Sequence, residues 1–170
     1  FFPDGQAIDE EHFSQVYLNH LEDIIRGEGP ETIAAVLIET VTGTNGILVP
    51  PQGYLQGLRA LCDQYGILLI TDEVMAGFGR TGKWFAFQNW DIVPDIVTMA
   101  KGLTSGYAPL GAVAMKSEIA DSFNDKMYFG GLTYNGHPVS LAAALANIEV
   151  IEQEGLLENT QKRGETLKNL

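Results

Sequence analysis

The chain has 170 residues, 45% of them hydrophobic, enough for one α/β domain with a sizeable core. A net charge of −12, from 22 acidic and 10 basic residues, argues against nucleic acid or an anionic membrane as partner, because phosphate binding needs clustered Lys and Arg. The single cysteine, Cys62, permits no internal disulfide and points to a reducing, cytoplasmic setting, and no run approaches the roughly 18 apolar residues of a membrane span.

Phe1-Phe-Pro-Asp lacks the basic start and apolar centre of a signal peptide. Phe13, Val16, Tyr17, Leu21, Ile24 and Ile25 then fall at helical spacing behind Asp9, a suitable N-cap, and Gly27-Glu-Gly-Pro30 ends that helix. Ile33-Ala-Ala-Val-Leu-Ile38 reads as a buried strand delivering Glu39 at its carboxyl end. An irregular connection through Thr42-Gly-Thr-Asn-Gly46 and Pro50-Pro51 leads to a helix carrying Leu55, Leu58, Leu61, Cys62 and Tyr65, stopped by Gly66. Cys62 falls on its apolar face, as a buried, inert thiol would. Two more apolar runs follow: one ends in Asp72-Glu73, the other in Lys101. Residues 111–115 read as a further strand and 117–123 as a short helix. Pro138 opens a long Ala- and Leu-rich helix at a position where proline is tolerated. The chain does not begin with Met and stops inside an amphipathic segment, 160–170, with no stop signal, so an excerpt of a longer polypeptide is expected. Strand and helix alternate without repeats, which predicts one layered α/β unit.

Gly77-Phe-Gly-Arg-Thr-Gly82 spells G-x-G-x-x-G after a strand, but a dinucleotide site needs a helix next, and Lys83-Trp-Phe-Ala-Phe-Gln-Asn-Trp-Asp91 has no amphipathic period. Asp72 and Lys101 carry more chemistry. Ligands in open α/β sheets bind at the carboxyl ends of strands, and the stretch between these residues is long enough for a crossover joining neighbouring strands. A desolvated lysine becomes a nucleophilic amine able to form a Schiff base. The cofactor that exploits this, pyridoxal 5'-phosphate (PLP), also needs a carboxylate at its ring nitrogen. The structural alternative is an ion pair, or a lysine capping the turn before Gly102. A phosphoacceptor receiver module would also use acids and a lysine at strand ends, but its order of acidic residues differs from the one here.

Seven strings in register settle on a resemblance: Ile38-Glu-Thr-Val, Gly46-Ile-Leu-Val-Pro-Pro-Gln-Gly-Tyr54, Leu69-Ile-Thr-Asp-Glu-Val74, Gly77-Phe-Gly-Arg-Thr-Gly82, Pro94-Asp-Ile-Val97, Ala100-Lys-Gly-Leu103 and Leu132-Thr-Tyr-Asn-Gly-His-Pro138. Together they resemble the class III (omega-amino) aminotransferases, PLP enzymes of fold type I. The resemblance implies an α/β fold, a three-layer α/β/α sandwich with a mostly parallel sheet. Residues 1–170 would be the central and C-terminal part of the PLP-binding large domain. It implies that Lys101 carries the cofactor as a Schiff base and then shuttles the substrate proton, and that Asp72 pairs with the ring nitrogen. Val74 would pack on the ring, Thr133 would bond the cofactor phosphate in the partner subunit's site, and Glu39 would lie near the substrate. Taken singly, Val74 reads as core, Thr133 as a turn residue and Glu39 as a strand end. His137 reads as structural, and His12 and His20 have no metal-ligand set around them.

The chain departs from the family where a glutamine often follows Asp-Glu-Val and bonds the ring hydroxyl; here it is Met75. Glu39-Thr-Val-Thr replaces a frequent Glu-Pro-Val-Gln and leans toward omega-amino acid:pyruvate transaminases. The upstream phosphate loop, the stacking aromatic and the small domain with its carboxylate-binding arginine are not found in the chain, so the polypeptide by itself is expected to be inactive. The implied activity is transfer of an amino group from an amino donor to a 2-oxo acid such as pyruvate or 2-oxoglutarate, in a homodimer or a dimer of dimers. Two alternatives are a PLP aminomutase or decarboxylase on the same fold, and a non-catalytic or dinucleotide-binding domain.

Overall fold

The structure is a computed structural model that describes residues 9–170; the leader reading of Phe1-Phe-Pro-Asp lies outside the described residues. Helix α1 (Glu10–Glu28) begins where the Asp9 carboxylate accepts from the Glu11 and His12 N–H groups at 3.2 and 3.1 Å, satisfying donors with no intrahelical partner. It ends at Gly29, whose φ of +88° other residues rarely adopt. A 3-10 turn at Pro30–Thr32 then leads into β1 (Ala35–Glu39). Helix α2 (Tyr54–Tyr65) stops at the expected Gly66, in the left-handed conformation at φ +66°. Strand β2 (Leu68–Asp72), β3 (Ile96–Met99) and β4 (Ala112–Met115) complete a four-stranded sheet in the order β1-β2-β3-β4.

The β1–β2 and β2–β3 pairs are parallel, and β4 runs antiparallel to β3. One face of the sheet is covered by α1 and α2, whose Leu18, Ile25, Leu55, Leu58 and Cys62 pack with Ile67, Leu69 and Ile92 into a single core. Burying each such side chain stabilises the fold by about 1.5–3 kcal/mol. The two helices can approach because residue 57 is glycine: a Cβ there would come within 2.1 Å of Leu18 Cδ1.

Downstream lie the short α3 (Ser117–Asp121), α4 (Pro138–Gln153) with proline in its first turn, and α5 (Leu156–Lys168). The last helix starts earlier than the 160–170 segment suggests, because Gly155 at φ +59° breaks α4 and lets a new helix start at once. The segment after the glycine loop is not wholly irregular either, since Ala86–Trp90 forms a 3-10 turn.

The lower edge of the sheet is tied by Asp95. Its carboxylate accepts from the Leu69 N–H at 2.8 Å and pairs with Arg59 at 2.8 Å and Lys116 at 2.7 Å. Burial pushes the Asp95 carboxyl up, but hydrogen bonds from Lys116, the Leu69 backbone and Arg59 outweigh it and hold the group at about 2. One carboxylate thereby binds α2, β2 and the end of β4.

Candidate active site

Asp72 is the last residue of β2, and the register places Glu39, Asp72 and Thr98 side by side across three parallel strands. Residues in register share a face, so the three side chains form a row at the carboxyl edge. Asp72 Oδ1 accepts from the Val74 N–H at 2.9 Å, which turns the chain away from the sheet just past the acid. Lys101 follows two residues after the end of β3 and opens a 3-10 turn, Lys101–Leu103. The acid and the amine thus leave adjacent parallel strands at the same edge.

Lys101 is exposed and sits at φ +40°, in the left-handed region unfavourable for a side chain bearing Cβ. Among the described residues its Nζ has neither a hydrogen bond nor an ion pair. The structural ion-pair alternative for Asp72 and Lys101 therefore does not apply. Two further groups at this edge lack a partner. Asp72 Oδ2 has no hydrogen-bond partner among the described residues, and the Thr98 hydroxyl is buried without one. An unpaired buried hydroxyl costs about 1–3 kcal/mol. An open carboxylate oxygen, an orphaned hydroxyl and a free amine on one strand edge suit a ligand that offers a protonated ring nitrogen and an aldehyde, as PLP does.

Beneath this edge, Glu73 is fully buried and accepts three hydrogen bonds: from the Thr40 hydroxyl at 2.5 Å, the Ala86 N–H at 2.8 Å and the Phe87 N–H at 3.0 Å. It joins the exit of β1, the exit of β2 and the 3-10 turn beyond the glycine loop. The loop itself is closed on its own backbone. Gly77, Phe78, Gly79 and Gly82 donate to Glu73, Trp84, Lys83 and Gly79 carbonyls at 2.6–3.1 Å. Four of its six N–H groups are spent, and the segment after it holds a 3-10 turn and not an α-helix, so it offers no pyrophosphate cradle. Arg80 donates to the Met75 carbonyl at 2.6 Å, ordering the same bend.

The remaining expected residues are placed as follows. Val74 is half-buried one residue beyond Glu73. Glu39 Oε2 accepts from the Gly43 N–H at 2.6 Å, closing the loop after β1. Glu39 also lines a largely apolar groove of about 650 Å³, walled by Phe13, Tyr17, Ile38, Val49 and Tyr54, which neither Asp72 nor Lys101 reaches. Thr133 lies in an exposed turn and makes no side-chain hydrogen bond among the described residues. His137 precedes Pro138 without a side-chain capping bond. No metal-holding group of His, Cys, Asp or Glu occurs among the described residues.

Residues 2–170 match the family model "Aminotransferase class-III". The chain belongs to the class III aminotransferase family. Taurine–pyruvate aminotransferase of Bilophila wadsworthia is 49% identical over 153 residues, covering 86% of this chain and 34% of the relative. Putrescine–pyruvate aminotransferase of Pseudomonas aeruginosa is 39% identical over 162 residues, covering 95% of this chain and 36% of the relative. The solved taurine:2-oxoglutarate aminotransferase of Bifidobacterium kashiwanohense, in complex with PLP and glutamate, superposes with a TM-score of 0.94 at 45% identity. That superposition covers 96% of this chain and 37% of the other. The expected α/β fold with its mostly parallel sheet is thus borne out, as is family membership. The chain spans about a third of the length of these relatives.

Glu73, Thr98, Asp95 and Asn147 carry structure at the site or beneath it that the sequence reading passed over. For Asn147 a signal existed: it falls on the stripe of α4 that buries Ser140, Ala144 and Ile151, where an amide needs a partner.

Proposed function

We propose that this chain is the middle of the cofactor-binding domain of a longer PLP-dependent transaminase, which moves an amino group from an omega-amino acid or amine to a 2-oxo acid. The observation that carries the reading is the delivery of Asp72 and Lys101, unpaired with each other, to one edge of a parallel sheet in a class III family member. The similarity to taurine– and putrescine–pyruvate aminotransferases favours an amino donor whose amine is remote from any carboxylate.

PLP, when bound, supplies an aldehyde to carry the amino group and a ring that accepts the electron pair left by proton removal. In this reading the chain's own groups do the rest. Asp72 keeps the ring nitrogen protonated, and its bond from the Val74 N–H fixes the carboxylate's direction. Lys101 holds the aldehyde carbon and, once released by the donor amine, takes and returns the substrate proton at Nζ. Val74 packs against one ring face, and Thr133 bonds the phosphate across a homodimer interface. Exposed Phe129, Leu132, Tyr134 and Val139 support such an interface around Thr133. Glu39 lies on the substrate side of the edge. The low cysteine content and buried Cys62 favour a cytoplasmic enzyme. No helix among the described residues is long and apolar enough to cross a membrane.

The test is a donor and acceptor screen on the full-length protein, followed by spectra of each half-reaction. A transaminase converts its cofactor to the amino form with donor alone and back with a 2-oxo acid alone. An aminomutase or decarboxylase turns over without accumulating that form. Turnover retained by Lys101→Ala with any donor overturns the assignment of the lysine.

A further inference from the structure

We infer that Asn147, on α4, is a positioning residue for the lysine-bearing turn, holding the Lys101 amine where it can serve both as anchor and as proton carrier. The inference rests on the transaminase reading above. Lys101 at φ +40°, Ser105 at φ +50° and Gly106 at φ +82° put three left-handed residues within one short segment. A non-glycine residue held there costs on the order of 1 kcal/mol or more and persists only where its surroundings over-determine it.

Most of the restraints on this segment are internal. Leu103 N–H donates to the Ala100 carbonyl at 2.9 Å, Thr104 N–H to the Lys101 carbonyl at 3.2 Å, and the Thr104 hydroxyl to the Ala108 carbonyl at 2.6 Å. Such bonds tighten the turn but do not fix how it sits on the sheet. Two contacts from outside do. The Asn147 side-chain amide donates to the Gly102 carbonyl at 2.8 Å and to the Leu103 carbonyl at 3.2 Å. Residue 102 also lies so close to Phe78 that a Cβ there would come within 2.8 Å of Phe78 Cβ. The peptide groups just after Lys101 are therefore held both by an amide on α4 and by close contact with the glycine loop after β2. The Gly77 N–H of the same loop donates to the Glu73 carbonyl at 2.9 Å, next to Asp72.

These contacts orient the Lys101 Cα–Cβ bond relative to the Asp72 edge. A reactive group displaced by about 1 Å can lose on the order of 100-fold in rate, so a turn free to swivel slows proton transfer with little effect on donor binding. Asn147 touches no reacting atom; it acts through the backbone that carries Lys101.

The experiment uses the full-length protein loaded with PLP, with Asn147→Asp (same shape, donors removed), Asn147→Ala and the donor-retaining Asn147→Gln. For Asn147→Asp and Asn147→Ala, kcat should fall about 10- to 100-fold with KM nearly unchanged. The pH midpoint of the visible band of the lysine-bound cofactor should also move by about 0.5 or more, with Asn147→Gln restoring part of both. If Asn147→Asp does not fold, Gly102→Ala disturbs the same turn from the Phe78 side and should move the same midpoint. Variants that melt earlier but keep the wild-type midpoint and kcat reduce Asn147 to a packing role and overturn the inference alone. A wild-type protein with no cofactor on Lys101 overturns the transaminase reading and the inference together.

Discussion

The Thr40 hydroxyl donates a 2.5 Å hydrogen bond to Glu73, linking the ends of β1 and β2 beneath the edge where Asp72 emerges. Glu73 is fully buried and its other acceptor sites are filled by the Ala86 and Phe87 N–H groups. Glu73→Gln turns one acceptor into a donor that faces a donor. It should destabilise the intact protein by about 1–3 kcal/mol, and Glu73→Ala by about 3–5 kcal/mol, because all three donors lose their partner and a cavity opens. Urea denaturation followed by far-UV circular dichroism reads both. Equal stability of Glu73→Gln and wild type contradicts this role.

Asp95 supplies the clearest dependence on pH. Its carboxyl is held at about 2, below an ordinary value of 3.8, so the stability it contributes is present above about pH 4 and lost as pH falls toward 2. The contribution is on the order of 2 kcal/mol. Asp95→Asn should cost about 2–3 kcal/mol at pH 7, since the largely buried Arg59, whose Nε already lacks a partner, then keeps only the exposed Asp63 as ion-pair partner among the described residues. Thermal melts from pH 7 to pH 2 should show this variant losing less stability over the acid range than wild type does.

Two glycine-to-alanine changes should act in opposite directions. At Gly77 a Cβ would meet the Glu73 carbonyl oxygen at 2.8 Å, and backbone cannot step aside cheaply, so Gly77→Ala should cost about 1–3 kcal/mol. At Gly164, inside α5, a Cβ meets nothing within 4 Å, and Gly164→Ala should stabilise by about 0.5–1 kcal/mol. Melting temperatures of the two variants beside wild type decide the pair.

Cys62 lies at 0% exposure on α2, and burial raises its thiol above the ordinary range. A colourless thiol reagent that releases dye should therefore react at pH 8 only as fast as the protein opens, and fully in denaturant. Rapid labelling of native protein would contradict the packing of α2 on β2.

Much of this was legible along the chain for identifiable reasons. Asp9, Gly66 and Pro138 mark helix ends through requirements that are local, and the structure places all three as expected. Asp72, Glu39 and Lys101 could be set at strand ends because apolar runs stop there. Short apolar runs carry no sign of direction, which is why the antiparallel β4 was not foreseen. Glu73 and Asn147 act through partners 13 to 45 residues away, and no local pattern reports such a bond. Asp95 stood in the string Pro94-Asp-Ile-Val97, but its cations arrive from α2 and from just beyond β4.

The central claim is that Lys101 is the residue that holds the cofactor. The direct measurement is borohydride reduction of the full-length protein loaded with PLP, followed by digestion and mass spectrometry. Hydride addition across the carbon–nitrogen double bond converts it to a stable secondary amine. A phosphopyridoxyl adduct is expected on the peptide containing Lys101, and none in Lys101→Ala. An adduct on another lysine, or none in the wild type, would contradict the claim.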